Sequence, residues 1–177
     1  MKNLTSFTVI VLLVLTVTLQ LPAQTTKDSL PEKYIFTKVI DLPATPVKDQ
    51  SSSGTCWSYA TTSFIESELI RLTGDTFDLS EMFSVHKAYE AKARHYVRLH
   101  GLANFGEGGQ AHDVMNVIKE YGLMTEAAYS GLANGQTKPA HGEMAALLEA
   151  MVGAISKNPA GKLSPEWSSS ISAVLDV

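Results

Sequence analysis

A single cysteine, Cys56, stands among 177 residues. A lone thiol can serve as a nucleophile, a metal ligand, a redox sensor or a small buried apolar residue. A disulfide framework, or a zinc site built on two or more thiolates, needs more cysteines than this chain has. A thiol sensor needs a resolving cysteine, and none is present. The neighbours of Cys56 favour nucleophilic chemistry. Gln50 lies a short way upstream, and its side-chain amide can donate to an oxyanion alongside the backbone N–H of Cys56. Pro46 and Gly54 punctuate the polar stretch around it, and Trp57 follows the thiol directly. A thiolate at the start of a helix is favoured by the unpaired N–H groups and partial positive charge found there.

A cysteine nucleophile also needs a histidine to take and return a proton, and a third group to orient that histidine. The chain has five histidines. His86, His95 and His100 fall on or at the end of one predicted helix, His112 on the next, and His141 in a loop. Each is expected to be an ordinary surface or helix-side residue. His86 and Glu90, at i and i+4, could share a metal, but two ligands make a weak site, so no metal or cofactor is expected. The cluster Gly106-Glu-Gly-Gly109 is a poor phosphate cradle, because no clear strand precedes it and no Lys-Ser/Thr follows.

Composition sets the frame for these residues. With 45% hydrophobic and 18% charged residues, the chain can bury one core and is not wholly disordered. It holds 14 Lys+Arg against 18 Asp+Glu, without a basic run, and so lacks the electrostatic footprint of a nucleic-acid binder. Near the N-terminus, Val9–Leu19 is an apolar run preceded by Lys2 and followed by a small residue at Ala23. That pattern is expected to be a signal peptide over residues 1–23, since the run is too short to span a membrane. The mature chain, 24–177, is then expected to be exported to the periplasm or outside the cell, with no membrane partner after cleavage. Oxidising surroundings usually pair cysteines, so an unpaired Cys56 there would ask for a function.

Several elements must position the thiol. Tyr34–Ile40, rich in β-branched and aromatic residues, is a strand candidate. An irregular loop from Leu42 to Thr55 leads into a predicted helix from Cys56 to Leu72, with Trp57, Ala60 and Phe64 on its apolar face and Gly74 as its stop. Ser80 is placed to cap a second helix from Glu81 to about Leu99, built on Met82, Val85, Tyr89, Ala93 and Tyr96. A third is predicted from Gln110 to Tyr121, ending at Gly122, with Thr125 as a further cap. A surface loop over 130–142 precedes a fourth helix, Glu143–Ile155, whose stripe is Met144, Leu147, Leu148, Met151 and Ile155. Ser164-Pro165 is expected to open a last helix through Ile171, Val174 and Leu175, with Ser164 as cap and Pro165 in the first turn.

The segment Pro46-Val-Lys-Asp-Gln50-Ser-Ser-Ser-Gly54-Thr-Cys56-Trp57 resembles the active-site segment of papain-like cysteine peptidases. Gln50, Gly54, Cys56 and Trp57 fit that pattern. Ser53 stands where most of the family has a cysteine, and Gly106 where its disulfide partner would fall. This joint loss, together with Leu79-Ser80-Glu81, Gly108-Gly109-Gln110 and Lys119-Glu-Tyr-Gly-Leu123, resembles the bleomycin hydrolase and aminopeptidase C branch. The resemblance implies an α+β papain-like fold of which this chain covers mainly the helical lobe, with Cys56 at a helix N-terminus. It implies Cys56 as nucleophile, Gln50 in the oxyanion hole, and Gly108 and Gly109, with Trp57, as the substrate-binding strip. Without Cβ atoms, glycines let a peptide backbone approach closely. The implied activity is trimming of peptide N-termini, with a peptide as substrate and a homo-hexamer in the full-length enzyme. Papain-like enzymes carry their histidine and asparagine roughly 130 to 150 positions after the cysteine. Both are therefore expected beyond Val177, and residues 24–177 are expected to be the nucleophile-bearing part of a longer domain. The alternative is a non-catalytic helical interaction module that keeps the papain-like segment.

Overall fold

The computed structural model describes residues 36–132, 135–158 and 162–176. The chain divides into two compact units, Met1–Ile40 and Asp41–Val177. The expected signal peptide, and Tyr34 and Ile35 at the start of the strand candidate, lie outside the described residues. Of the first unit only 36–40 is described, and these residues form no strand; Phe36, Val39 and Ile40 are exposed. β propensity reports the fit of a side chain to a pleated, half-buried surface, and a strand forms only where a partner strand supplies that surface. Among the described residues the only β pairing is two isolated bridges, Ser52 with Ala140 and Leu79 with Thr125.

The second unit is helical. Among the described residues there are five helices: α1 Cys56–Thr73, α2 Glu81–Arg98, α3 Ala111–Tyr121, α4 Gly142–Ser156 and α5 Glu166–Leu175. None of them is long and apolar enough to cross a membrane. Helix α2 is the hub, packing against each of the other four. Its sequence explains why: Met82, Val85, Ala88, Tyr89, Ala93 and Val97 are all buried, and Ser84 and His86 are buried beside them. Apolar or small residues therefore cover most of its circumference, so neighbours can close on it from several sides. The Ser80 hydroxyl accepts a hydrogen bond from Phe83 N at 3.0 Å, which starts the helix as expected. Trp57 of α1, Val114 and Val117 of α3, Leu148 and Val152 of α4 and Ile171 of α5 complete one core.

Five expectations are corrected in whole or in part. In α1 the buried face is Trp57, Ser58, Thr61, Thr62 and Glu66, whereas Ala60 is exposed, Phe64 is 65% exposed and Leu72 is 68% exposed. Of the apolar stripe read from spacing, α1 thus buries Trp57 but leaves Ala60, Phe64 and Leu72 exposed. Periodicity identifies a stripe but not the neighbour it meets. In α4 the expected stripe holds except at one position: Leu148 is buried and Met144, Met151 and Ile155 pack against the core, whereas Leu147 is 50% exposed and Val152 is buried in its place. The cap of α5 is Pro165, with φ −68° and ψ −19°, rather than Ser164. Thr125 starts a single turn, its carbonyl accepting from Ala128 N and Tyr129 N, and no helix follows. The loop before α4 is also less superficial than expected, since Pro139 and His141 are buried.

A small cavity of about 30 Å³ lies beside the hub, lined by His86, Tyr89, Tyr129, His141, Met144 and Leu175 among others. His86 Nδ1 and the Tyr129 hydroxyl are 3.1 Å apart. His86 Nε2 is at ion-pair distance from Glu90, 3.5 Å, and from Asp176, 3.6 Å. Burial, reinforced by Lys87, lowers the His86 pKa against the pull of Glu90 and Asp176. Burial likewise lowers that of His141, against Glu107.

Two outcomes follow from this packing. Leu148→Ala should cost about 2–5 kcal/mol in urea unfolding, and Leu147→Ala less than about 1 kcal/mol, because only the first opens a buried cavity. The lowered histidine pKa values make the neutral rings the folded form. Stability is therefore full above the ordinary value of 6.5 and falls as pH drops below it. Urea unfolding between about pH 7.5 and about pH 5.5 should show that loss, and His86→Gln with His141→Gln should flatten it.

Candidate active site

The loop before α1 is anchored at several points. Lys48 Nζ donates to the Leu79 carbonyl at 3.0 Å and pairs with Asp78 at 2.7 Å and Glu81 at 3.0 Å. Burial alone would lower the Lys48 pKa, but the hydrogen bonds and charges of Asp78 and Glu81 raise it well above its usual value. The Glu81 carboxyl pKa is raised too: burial lifts it, with the neighbouring Glu66 adding to the rise against the pull of Lys48. Lys48 is therefore a firm cation. Glu66, almost fully buried, accepts from Thr45 Oγ1 and from Leu79 N, the latter at 2.7 Å. A charged group inside a helical face is stable only when so paired.

Beyond Lys48 the chain turns sharply. Asp49 accepts from Ser51 N at 2.8 Å and pairs with Lys138 at 2.7 Å. Ser51 has φ +50°, a left-handed conformation that costs a non-glycine residue of order 1–3 kcal/mol. The carbonyl of Ser52 accepts from His141 N at 3.1 Å. Ser53 Oγ donates to the Gln50 carbonyl at 2.7 Å and lies 2.6 Å from Thr55 Oγ1. Ser53, at the position where the resemblance has a cysteine, thus closes the loop by hydrogen bonds.

Cys56 is the first residue of α1 and is exposed. Thr55 makes no side-chain capping bond, and the first turn carries no acidic residue, so no carboxylate of that turn competes for the positive end of the helix. Gln50 and Cys56 line one cavity of about 310 Å³, together with Pro46, Tyr59 and Ala60. Burial and the Glu81 charge push the Tyr59 pKa up to about 12, which keeps its hydroxyl protonated at neutral pH. The residues lining this cavity thus include one with a thiol, at the start of a helix, and one with an amide donor, types suited to attack on a carbonyl and to holding an oxyanion.

Gly108 and Gly109 lie beside Trp57. The Trp57 indole is 7% exposed and donates from Nε1 to the Glu107 carbonyl at 2.9 Å. A Cβ at Gly109 would sit 2.6 Å from Trp57 Cε2, whereas one at Gly108 would meet nothing within 4 Å. Gly109 is therefore dictated by close packing and Gly108 faces open space. Trp57 supports the strip from within. Gly54 is dictated in the same way, by the Glu107 side chain, whose Cβ a Gly54 Cβ would approach to 2.9 Å.

No histidine is among the residues lining the Gln50–Cys56 cavity. His86 and His141 line the other cavity, His95 and His100 are exposed, and His112 faces Asp113 at 3.5 Å. Among the described residues no three or more His, Cys, Asp or Glu are gathered as a metal site. Sequence reasoning missed Lys48, Glu66, Glu81 and Lys92, whose partners lie on other elements. The one local signal was Glu66, a charged residue four positions after Thr62 on the side of α1 that proves buried.

Residues 31–160 match the model of the papain family cysteine proteases, and the chain belongs to that family. It is similar to cysteine proteinase 1, mitochondrial, of Saccharomyces cerevisiae in strains YJM789, AWRI1631 and S288c. Each is 27% identical over 123 residues, covering 60% of this chain and 26% of the relative. The chain thus spans about a quarter of the length of the curated relatives it matches. The expectation of export is corrected by this finding, since those relatives are named as mitochondrial proteins. It rested on an apolar run, Val9–Leu19, that lies outside the described residues, and apolarity alone does not specify a compartment.

Gly109→Ala should cost about 1–3 kcal/mol through overpacking against Trp57, with a changed tryptophan emission, while Gly108→Ala should leave stability within about 0.5 kcal/mol. Lys48→Met should lower stability by about 1–3 kcal/mol, because it leaves buried Glu81 without its charged donor, and should speed limited proteolysis within residues 42–55.

Proposed function

We propose that Cys56 is the nucleophile of a cysteine peptidase that trims residues from peptide N-termini, as in the bleomycin hydrolase and aminopeptidase C branch. The observation that carries this reading is the shared cavity: Cys56 opens α1 without a side-chain cap and Gln50 lines the same space. The Cys56 thiolate attacks the scissile carbonyl carbon. The oxyanion so formed accepts hydrogen bonds from the Gln50 amide and the Cys56 backbone N–H. Collapse breaks the C–N bond, the amine leaves with a proton, and water then hydrolyses the thioester and frees the thiol. The strip Gly108-Gly109 aligns the substrate backbone, its open side at Gly108 admitting a second chain. The proton carrier, a histidine oriented by an asparagine, is assigned to the part of the protein outside these residues.

In the full-length protein, iodoacetamide and an epoxide inhibitor should label Cys56 and abolish cleavage, and Cys56→Ser should be inactive and unlabelled. Gln50→Ala should lower kcat about 10²–10³-fold. Peptides with a free N-terminus should be cut and their N-acetylated forms spared. Cleavage of both forms would replace N-terminal trimming with internal cutting, and a wild type that cleaves neither would leave the non-catalytic module as the correct reading.

A further inference from the structure

The glycine strip is held from below by a group that belongs to neither the thiol nor the oxyanion hole. Lys92, on the hub helix α2, sends its Nζ to the Gly106 carbonyl at 3.2 Å and to the Gly108 carbonyl. The carbonyl between them, that of Glu107, accepts from Trp57 Nε1. Three consecutive carbonyls are therefore fixed by two side chains. The same ammonium stands over two aromatic faces, 5.1 Å from the Trp57 ring centroid and 5.6 Å from that of Tyr89. Such a cation over an indole is attracted to its face, the more so where water is thinned out. Lys92 is half-buried, and Tyr89 beneath it is 1% exposed.

The chain has one cysteine, so no disulfide within it can tie the strip to α1. A glycine-rich segment has the largest conformational freedom to lose on ordering. Something must hold it where Trp57 and Cys56 need it, and the ammonium with its several donors is placed to do so.

We propose that Lys92 is a positioning residue of the peptide-binding strip: by clamping the Gly106 and Gly108 carbonyls onto the Trp57 face, it sets the strip against Cys56 and thereby sets the affinity for the substrate backbone. This assignment rests on the reading of Gly108-Gly109 as the substrate strip. It differs from a general structural role in what it predicts. A strip that binds the backbone equally in ground and transition states contributes to KM rather than to kcat. A small alkylating agent that reaches Cys56 without the strip is indifferent to it.

The test uses the full-length protein with Lys92→Met, Lys92→Arg and the wild type. Lys92→Met is expected to raise KM for a peptide substrate about tenfold while kcat and the rate of Cys56 alkylation by iodoacetamide stay within about threefold. Lys92→Arg, whose guanidinium can also donate to two carbonyls and stack on an indole, is expected to restore KM to within about threefold. Hydrogen exchange over residues 105–110 is expected to speed about tenfold in Lys92→Met and to recover in Lys92→Arg. Should Lys92→Met fail to fold, Lys92→Gln is held to the same criteria. An unchanged KM in an active variant, or equal losses in kcat and alkylation, overturns the proposal. So does unchanged exchange over 105–110, which reads the clamp whether or not the protein cleaves peptides. Failure of the peptidase reading shows instead in the wild type, as absent cleavage with the exchange effect intact.

Discussion

The Trp57 indole is the joint on which the rest of this structure depends. It follows the exposed thiol on the first turn of α1, yet is itself buried in the helical core. One edge leaves no room for a Cβ at Gly109, its N–H holds the Glu107 carbonyl, and its face receives the Lys92 ammonium. A large flat side chain can be apolar ballast and polar anchor at once, because the ring buries area while the N–H demands one partner. Through it, the first turn of α1, the glycine strip and the hub helix share one set of contacts. A shift of any one of them is felt by the others, as close packing requires.

On the other side of Cys56 the constraint is electrostatic. The loop carrying Gln50 has no regular structure to hold it, so it is pinned by side chains: Lys48 to the start of α2, Thr45 to Glu66, Asp49 to Lys138. Glu66 and Glu81 are taken out of water to do this, and burial penalises them. On the polar face of α1, Glu66 serves that task. Ser58, Thr61 and Glu66 are turned inward, Ser58 donating to the Glu81 carbonyl at 2.9 Å and Thr61 to the Trp57 carbonyl at 2.7 Å. The apolar Phe64 and Leu72 are left on the exposed side.

Much of this was legible beforehand. Caps and periodicity located the helices: Gly74 and Gly122 stop α1 and α3, Ser80 starts α2, and the bounds agree to within a residue or two. The thiol, Gln50 and the glycines could be picked out by type and spacing. What could not be read was which face of each helix meets which neighbour. The stripe on α1 and the position of Leu147 were inferred from apolarity, and the strand candidate, described only over 36–40, from β-branched and aromatic content; neither property names a partner. Lys48 and Lys92 were silent for a similar reason: each is one lysine among many until its carbonyl or carboxylate partners arrive from elsewhere in the chain.

By itself, then, the sequence determined the local matters: where helices begin and end, that one cysteine starts one of them, and that the segment around it carries the papain-family pattern. These depend on neighbours a few residues apart, for which backbone sterics and capping suffice. The tertiary structure alone decided that Lys92 reaches the Gly106 and Gly108 carbonyls and that Lys48 reaches Glu81. It also decided that α1 turns its polar face inward. Those contacts join residues far apart in the chain, and they exist only because helices packing on the α2 hub bring separate segments within hydrogen-bond reach.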